Sequence, residues 1–248
     1  MRAPRRDLGW LTARPVAHRG LHDQRLGVPE NTLPAFMRAA RAGYPVELDV
    51  RLTRDGVAMV FHDATLERLT GAAGAVAQTS FKAMRKLGIL GTSAPPPALA
   101  EVLAAVAGRV PILVEVKSPD DSGSLEAAVA TDLAAYRGRV AVMSFSAASV
   151  AWFRANAPHL PRGLVSGSWR GEADAVTALR RRWLLHAAAA APDFIAHEIT
   201  CLGDPAARAW RATGRPLLAW TAHTPPMFSA ASRLADAVIF ERLRPPPR

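Results

Sequence analysis

The chain has 248 residues, 50% of them hydrophobic, and a formal net charge of +10. That length and composition suffice to bury one sizeable core, so a single domain over 1–248 is expected. A lone cysteine, Cys201, excludes an internal disulfide framework, and no Cys/His cluster has zinc spacing. The basic N-terminus lacks a continuous apolar leader segment and no later stretch reaches the roughly 18 apolar residues of a membrane span, so a soluble cytoplasmic protein is expected.

The positive charge is almost all arginine and is scattered, the longest basic run being Arg180, Arg181 and Arg182. Such a distribution reads as a solvated surface rather than a nucleic-acid interface. Arg2, Arg5 and Arg6 beside Trp10 and Leu11 are candidates for peripheral contact with a membrane surface, in a stretch too short for a full amphipathic helix.

In chain order, short β-type runs alternate with longer alanine-rich segments of helical period, the pattern of a parallel α/β fold. The predicted strands are Pro15 to His18, Pro45 to Leu52, Val57 to Phe61, Val110 to Val116, Arg139 to Phe145, Gly163 to Ser166, Asp193 to His197, Pro216 to Thr221 and Asp236 to Phe240. Only Thr53, Arg54, Asp55 and Gly56 separate the second run from the third. A parallel crossover needs a dozen or more residues, and Asp-Gly is a hairpin signal, so the third run folds back antiparallel. Eight strands remain, which in a chain of this length predicts an eight-stranded parallel β/α (TIM) barrel. Predicted helices cover Thr32 to Ala42, Ala98 to Ala107, Ser124 to Tyr136, Ala147 to Ala155 and Asp174 to Ala190. The stretch 64–97, rich in Gly and closing on Pro95, Pro96 and Pro97, reads as a loop or small insertion after the second strand, and Pro245 to Arg248 as a frayed tail.

Within "VELDV", residues two apart share a strand face, so Glu47 and Asp49 point the same way. Glu115 and Lys117 in "VEVKS" repeat the arrangement at the end of the next barrel strand, and His18 ends the first. A single buried acid is explained by an ion pair, for example Glu115 with Lys117. Three acids with two histidines on neighbouring strand ends call instead for a cation, and carboxylate oxygens suit a hard ion, Mg²⁺ or Ca²⁺. The fold-back brings His62 level with Asp49, making His18 and His62 a candidate acid/base pair with Asp63 orienting His62. His22, His159 and His186 read as ordinary core or surface groups. With Arg19 and Lys117 as fixed positive charge, the set describes phosphoryl-oxygen chemistry.

These residues sit in "AHRG" (Ala17 to Gly20), "PENT" (Pro29 to Thr32), "ELDVRLTRDG", "VFHD", "LTG", "VEVK", "SF" and "AWT". In that order and spacing, over nearly the whole chain, they resemble the glycerophosphodiester phosphodiesterase family. The resemblance implies a β/α barrel that uses a divalent metal to hydrolyse glycerophosphodiesters to glycerol 3-phosphate and an alcohol. It implies metal ligands at Glu47, Asp49 and Glu115, acid/base histidines at His18 and His62, phosphate contacts at Arg19 and Lys117, and a supporting pair at Glu30 and Asn31. Trp220 falls where the family has an aromatic wall near the glycerol, although barrel packing explains a tryptophan there equally well. The superfamily's chemistry further implies attack by the substrate's own hydroxyl to give a cyclic phosphate, with either histidine as acid and the other as base.

The sequence departs from the family after "AWT", with Ala222 and His223 in place of the usual Asn, and near the end, with Phe240, Glu241, Arg242 and Leu243. Those departures bear on substrate range. Cleavage of lysophospholipids in lysophospholipase D fashion is the alternative, favoured by Trp10 and by apolar Phe81, Ile89 and Leu90. A non-catalytic phosphate-binding barrel is a weaker one, because every expected metal and proton-transfer position is filled.

Overall fold

Nine apolar runs become nine strands in a computed structural model that describes residues 7–118, 123–167, 175–185 and 187–246. The elements in order are α1 (Gly9–Thr12), β1 (Val16–Ala17), α2 (Leu33–Arg41), β2 (Val46–Leu52), β3 (Ala58–Val60), α3 (Glu67–Thr70), α4 (Phe81–Met84), α5 (Leu99–Val106), β4 (Ile112–Val116), α6 (Ser124–Ala134), β5 (Val140–Ser144), α7 (Ala147–Asn156), β6 (Arg162–Ser166), α8 (Ala175–Arg182), α9 (Ala187–Ala190), β7 (Phe194–Glu198), α10 (Pro205–Ala212), β8 (Leu217–Ala222), α11 (Pro225–Leu234) and β9 (Ala237–Phe240). Eight parallel strands with helices between them and one antiparallel extra strand make this an eight-stranded parallel β/α barrel.

The chain divides into two compact units, 17–140 and the remainder. In the first, β2 lies between β1 and β4, parallel to both, and β3 runs antiparallel along its C-terminal half. Every residue from Val46 to Val50 is buried, because a parallel strand flanked by helices is covered on both faces. The turn after β2 is closed by Gly56 N–H donating to Thr53 O, with Gly56 at φ +80°. Val50 then pairs with Val60, and Phe61 N–H donates to Asp49 O, so the chain returns to the level it left.

The stretch 64–97 is more than a loop. Its helices α3 and α4 and a short 3₁₀ turn at Val76–Gln78 enclose Leu66, Leu69, Val76, Met84 and Ile89, which pack on Met59 and Phe61 of the returning strand. Ile89 is fully buried in this small core, and Phe81 and Leu90, both half-buried, pack against it.

The second unit carries β5 to β9 as successive parallel neighbours from β6 onward, β5 pairing with β6. Helices α10 and α11 were not predicted. Both begin with proline in the first turn, where a missing N–H costs nothing, and Thr224 caps α11 by accepting from Met227 N–H. The predicted helix Asp174 to Ala190 is two helices with a turn at 183–185; Asp174, His186, and Pro247 and Arg248 of the tail lie outside the described residues, as do Arg2, Arg5 and Arg6. Trp10 is half-buried on α1 and Leu11 is buried.

Candidate active site

Strand register puts the acids together. Asp49 of β2 is the direct partner of Glu115 on β4, and Glu47 lies two residues back on the same face as Asp49. Glu47 and Asp49 are each 1% exposed and Glu115 8%. One oxygen from each of the three lies within 4.8 Å of the others.

The "AHRG" turn after β1 wraps around these acids. Gly20 is at φ +81°, and a Cβ there would meet the Ala35 backbone carbon of α2 at 2.8 Å, so the turn can pass this close to the helix only as glycine. Arg19, at φ +54°, donates its N–H to Glu47 Oε2 at 3.0 Å and its Nη1 to Glu30 Oε1 at 2.6 Å. Its Nε lies 3.2 Å from Asp49 Oδ2, as a charge contact. His18 Nε2 is 4.0 Å from Glu47 Oε2.

Asn31 takes the left-handed conformation that asparagine tolerates better than most residues, at φ +55°. Its N–H donates to Arg19 O, its Nδ2 donates to Asp49 Oδ2 at 2.9 Å, and its Oδ1 accepts from Asp49 N–H at 3.4 Å. A fully buried side chain thereby holds both the backbone and the carboxylate of one acid. Across the cluster, Lys117 Nζ donates to Glu115 Oε1 at 2.5 Å and lies 3.2 Å from Asp49 Oδ1.

The electrostatics divide the acids. Burial, then the charges of Asp49 and Glu115, push the Glu47 carboxyl well above the usual carboxylate range, against the opposing pull of Arg19. Burial also disfavours ionised Asp49, but Lys117, His62, Arg19 and His18 overcome it and hold Asp49 well below that range. Lys117 is buried, which favours the neutral amine, yet Glu115 and Asp49 raise it above its ordinary value. The expected Glu115–Lys117 ion pair is thus present and accounts for Glu115. Glu47 is left over: its Oε1 is buried with no hydrogen-bond partner. A buried oxygen of this kind beside two further carboxylates fits a hard divalent cation, with Glu47, Asp49 and Glu115 as the oxygen donors.

A second group of charges lies beside the first. His62 Nδ1 is 2.6 Å from Asp63 Oδ1, and Arg51 Nε donates to His62 O at 2.7 Å, fixing ring and backbone together. Arg68 of α3 reaches both Asp63 and Glu30. Burial acts to raise the Asp63 carboxyl, but hydrogen bonds from Arg68 and His62 bring it down to about 2. Glu30 is likewise lowered, Arg68 and Arg19 outweighing its burial. Arg68 did not stand out in the sequence, where it is one arginine among many.

Within the 17–140 unit the structure brings together His18, Arg19, Glu30, Asn31, Glu47, Asp49, His62, Asp63, Glu115 and Lys117. Trp220 belongs to the other unit, on β8. Its Nε1 donates to Ala196 O at 3.0 Å and Ser166 O at 3.2 Å, and its ring meets Phe145 edge-on at 5.5 Å. His159 is exposed. The departures from the family pattern meet each other: Glu241 N–H donates to Ala222 O, and His223 Nδ1 lies 3.9 Å from Glu241 Oε2.

A parallel β/α barrel with a buried carboxylate cluster at one strand register defines the class, and comparison with known proteins narrows it. Residues 18–243 match the glycerophosphoryl diester phosphodiesterase family, and the chain belongs to that family. It is 37% identical over 175 residues, 60% of its length, to a Mycobacterium tuberculosis protein named "Probable glycerophosphodiester phosphodiesterase 1". That match spans 63% of the relative's length, so the chain covers less than two thirds of it. It is 43% identical over 74 residues to human glycerophosphodiester phosphodiesterase 1, covering 29% of this chain and 21% of the human one. Among solved structures, an Oleispira antarctica phosphodiesterase in complex with the product sn-glycerol-3-phosphate superposes with TM-score 0.76 at 22% identity, over 92% of both chains. A Thermotoga maritima glycerophosphodiester phosphodiesterase gives TM-score 0.68 at 24% identity, over 91% of this chain and 92% of that one. At those identities the two structures speak for the fold.

Proposed function

We propose that this protein is a metal-dependent phosphodiesterase that hydrolyses glycerophosphodiesters to sn-glycerol 3-phosphate and an alcohol. The observation that carries the reading is the unpartnered, buried Glu47 oxygen inside a three-carboxylate cluster, in a chain of this family. A divalent ion on Glu47, Asp49 and Glu115, Mg²⁺ or Ca²⁺, would supply positive charge against the non-bridging phosphate oxygens. Arg19 and Lys117 add fixed positive charge beside it and bind the phosphate. Asn31 orients Asp49, and Glu30 orients Arg19.

Two histidines move the protons. With Nδ1 turned to Asp63, His62 keeps Nε2 for exchange with the substrate, and His18 supplies the second imidazole. In the proposed first step the glycerol hydroxyl next to the phosphate attacks phosphorus and gives up its proton to His18. The bond to the alcohol breaks as His62 protonates the departing oxygen. Water then opens the cyclic phosphate with the roles reversed. The lone buried Cys201 supports a reducing, cytoplasmic compartment.

A panel of glycerophosphocholine, glycerophosphoethanolamine and lysophosphatidylcholine, assayed with Mg²⁺, with Ca²⁺ and with chelator, tests the proposal. The expected result is release of sn-glycerol 3-phosphate from the first two, abolished by chelator, with a transient cyclic phosphate in phosphorus NMR. Full activity in chelator would sink the metal role, and preferred turnover of the lysolipid would move the substrate class to lysophospholipids.

A further inference from the structure

We propose that Arg68 is a positioning residue that locks the His62–Asp63 pair and the Arg19–Glu30 pair into one frame. Its guanidinium engages two carboxylates at once, and both in two-point fashion. Nε donates to Asp63 Oδ2 at 2.5 Å and Nη2 to Asp63 Oδ1 at 2.9 Å. Nη1 donates to Glu30 Oε2 at 3.1 Å and Nη2 also to Glu30 Oε1 at 2.9 Å. Each of these acids in turn touches a group of the proposed chemistry at 2.6 Å, Asp63 holding His62 Nδ1 and Glu30 holding Arg19 Nη1.

An isolated surface ion pair is worth little. Here the geometry is different in kind, because a planar fork bridges two carboxylates 33 residues apart in sequence, 30 and 63, and leaves neither free to turn. Arg68 itself is placed by packing: it lies between Leu66 and Leu69, both buried in the small core of the 64–97 stretch. That gives the stretch a task in the site. It holds the guanidinium where Asp63 must accept from His62 Nδ1–H, which fixes the tautomer and leaves Nε2 facing the substrate. Lysine cannot replace it, since a point-like ammonium cannot make two forks.

The inference rests on the proposed acid/base role of His62, and its test separates the two. Arg68→Gln and Arg68→Lys are compared with the unaltered chain by steady-state kinetics on glycerophosphocholine. Long-range ¹H–¹⁵N spectra of the metal-free protein read the His62 ring, assigned with His62→Gln, and thermal melts establish that each variant folds. Recorded at alkaline pH, where the imidazole ring is neutral, His62 of the unaltered protein is expected as the Nδ1–H tautomer, becoming a mixture in Arg68→Gln. The same variant should lose about 10- to 100-fold in kcat with KM within about threefold, and Arg68→Lys should recover only a small part. An unchanged His62 spectrum in Arg68→Gln overturns the clamp whatever the activity. An altered spectrum with undiminished kcat overturns the positioning role. A fully active His62→Gln removes the role of His62, and this inference with it, while the spectrum still reports whether the contact exists.

Discussion

Two carboxylate clusters lie within one 124-residue unit and solve the problem of negative charge in opposite ways. The inner one, Glu47, Asp49 and Glu115, is buried on strands and has Lys117 and a share of Arg19 against three acids. Glu47 is consequently pushed above the usual carboxylate range. The outer one, Glu30 and Asp63, lies on loops with Arg68, Arg19 and His62 around it, and both its acids are lowered. The outer cluster carries its own cations, whereas the inner is where the proposed divalent ion would be held. A deficit of positive charge in a buried site marks where a cation binds, and a satisfied network marks what holds the site in shape.

Changing the inner cluster should produce the largest effects, and with opposite signs. Glu47→Gln is expected to cost about 10³-fold or more in kcat/KM, a loss of roughly 4 kcal/mol in transition-state stabilisation. The same substitution removes like-charge repulsion in the metal-free protein, so its Tm should rise by about 2–4 °C for each kcal/mol relieved. A fall in both would show that Glu47 is already compensated. Replacing His18 or His62 by alanine should lower kcat about 10²- to 10⁴-fold; undiminished turnover in either would remove that residue from proton transfer.

The outer cluster should respond to pH and salt instead. Asp63 is lowered in the folded state, so its contribution to stability is fully present above its unfolded value near 4 and is lost as pH falls through about 2. The Tm difference between the native chain and Asp63→Asn should therefore narrow as pH falls from 4 toward 2, and a difference that widened would reverse the assigned sign. Smallest of all, the Arg68 pairs are partly exposed, its side chain being 47% accessible. Raising NaCl to 1 M, where the Debye length is about 3 Å, should reduce the stability lost in Arg68→Gln by less than about 1 kcal/mol. Binding of the divalent ion to the buried inner cluster, measured by calorimetry across the same salt range, should survive it.

Much of this organisation was legible in the residues. The strands were readable because apolar runs bounded by turns leave few alternatives, and observed and predicted ends differ by no more than two residues. The hairpin was readable because four residues cannot make a crossover. Helices α10 and α11 were missed although both open on proline and α10 buries Ala207 and Trp210 along one face. Helices α3 and α4 are single turns with no period at all; the burial of Leu69 and Met84 against Phe61 holds them.

By itself the sequence determined the fold class, the turn that returns His62, and the shared face of Glu47 and Asp49, because each depends on local spacing along the chain. Tertiary structure decided which acid stays uncompensated and which arginine completes the site. Those outcomes depend on contacts between residues far apart in sequence: Lys117 answers Asp49 and Glu115 rather than Glu47, and Arg68 reaches Glu30 across 38 residues. Charge balance in a low-dielectric interior is set by such distances, which no spacing along the chain reveals.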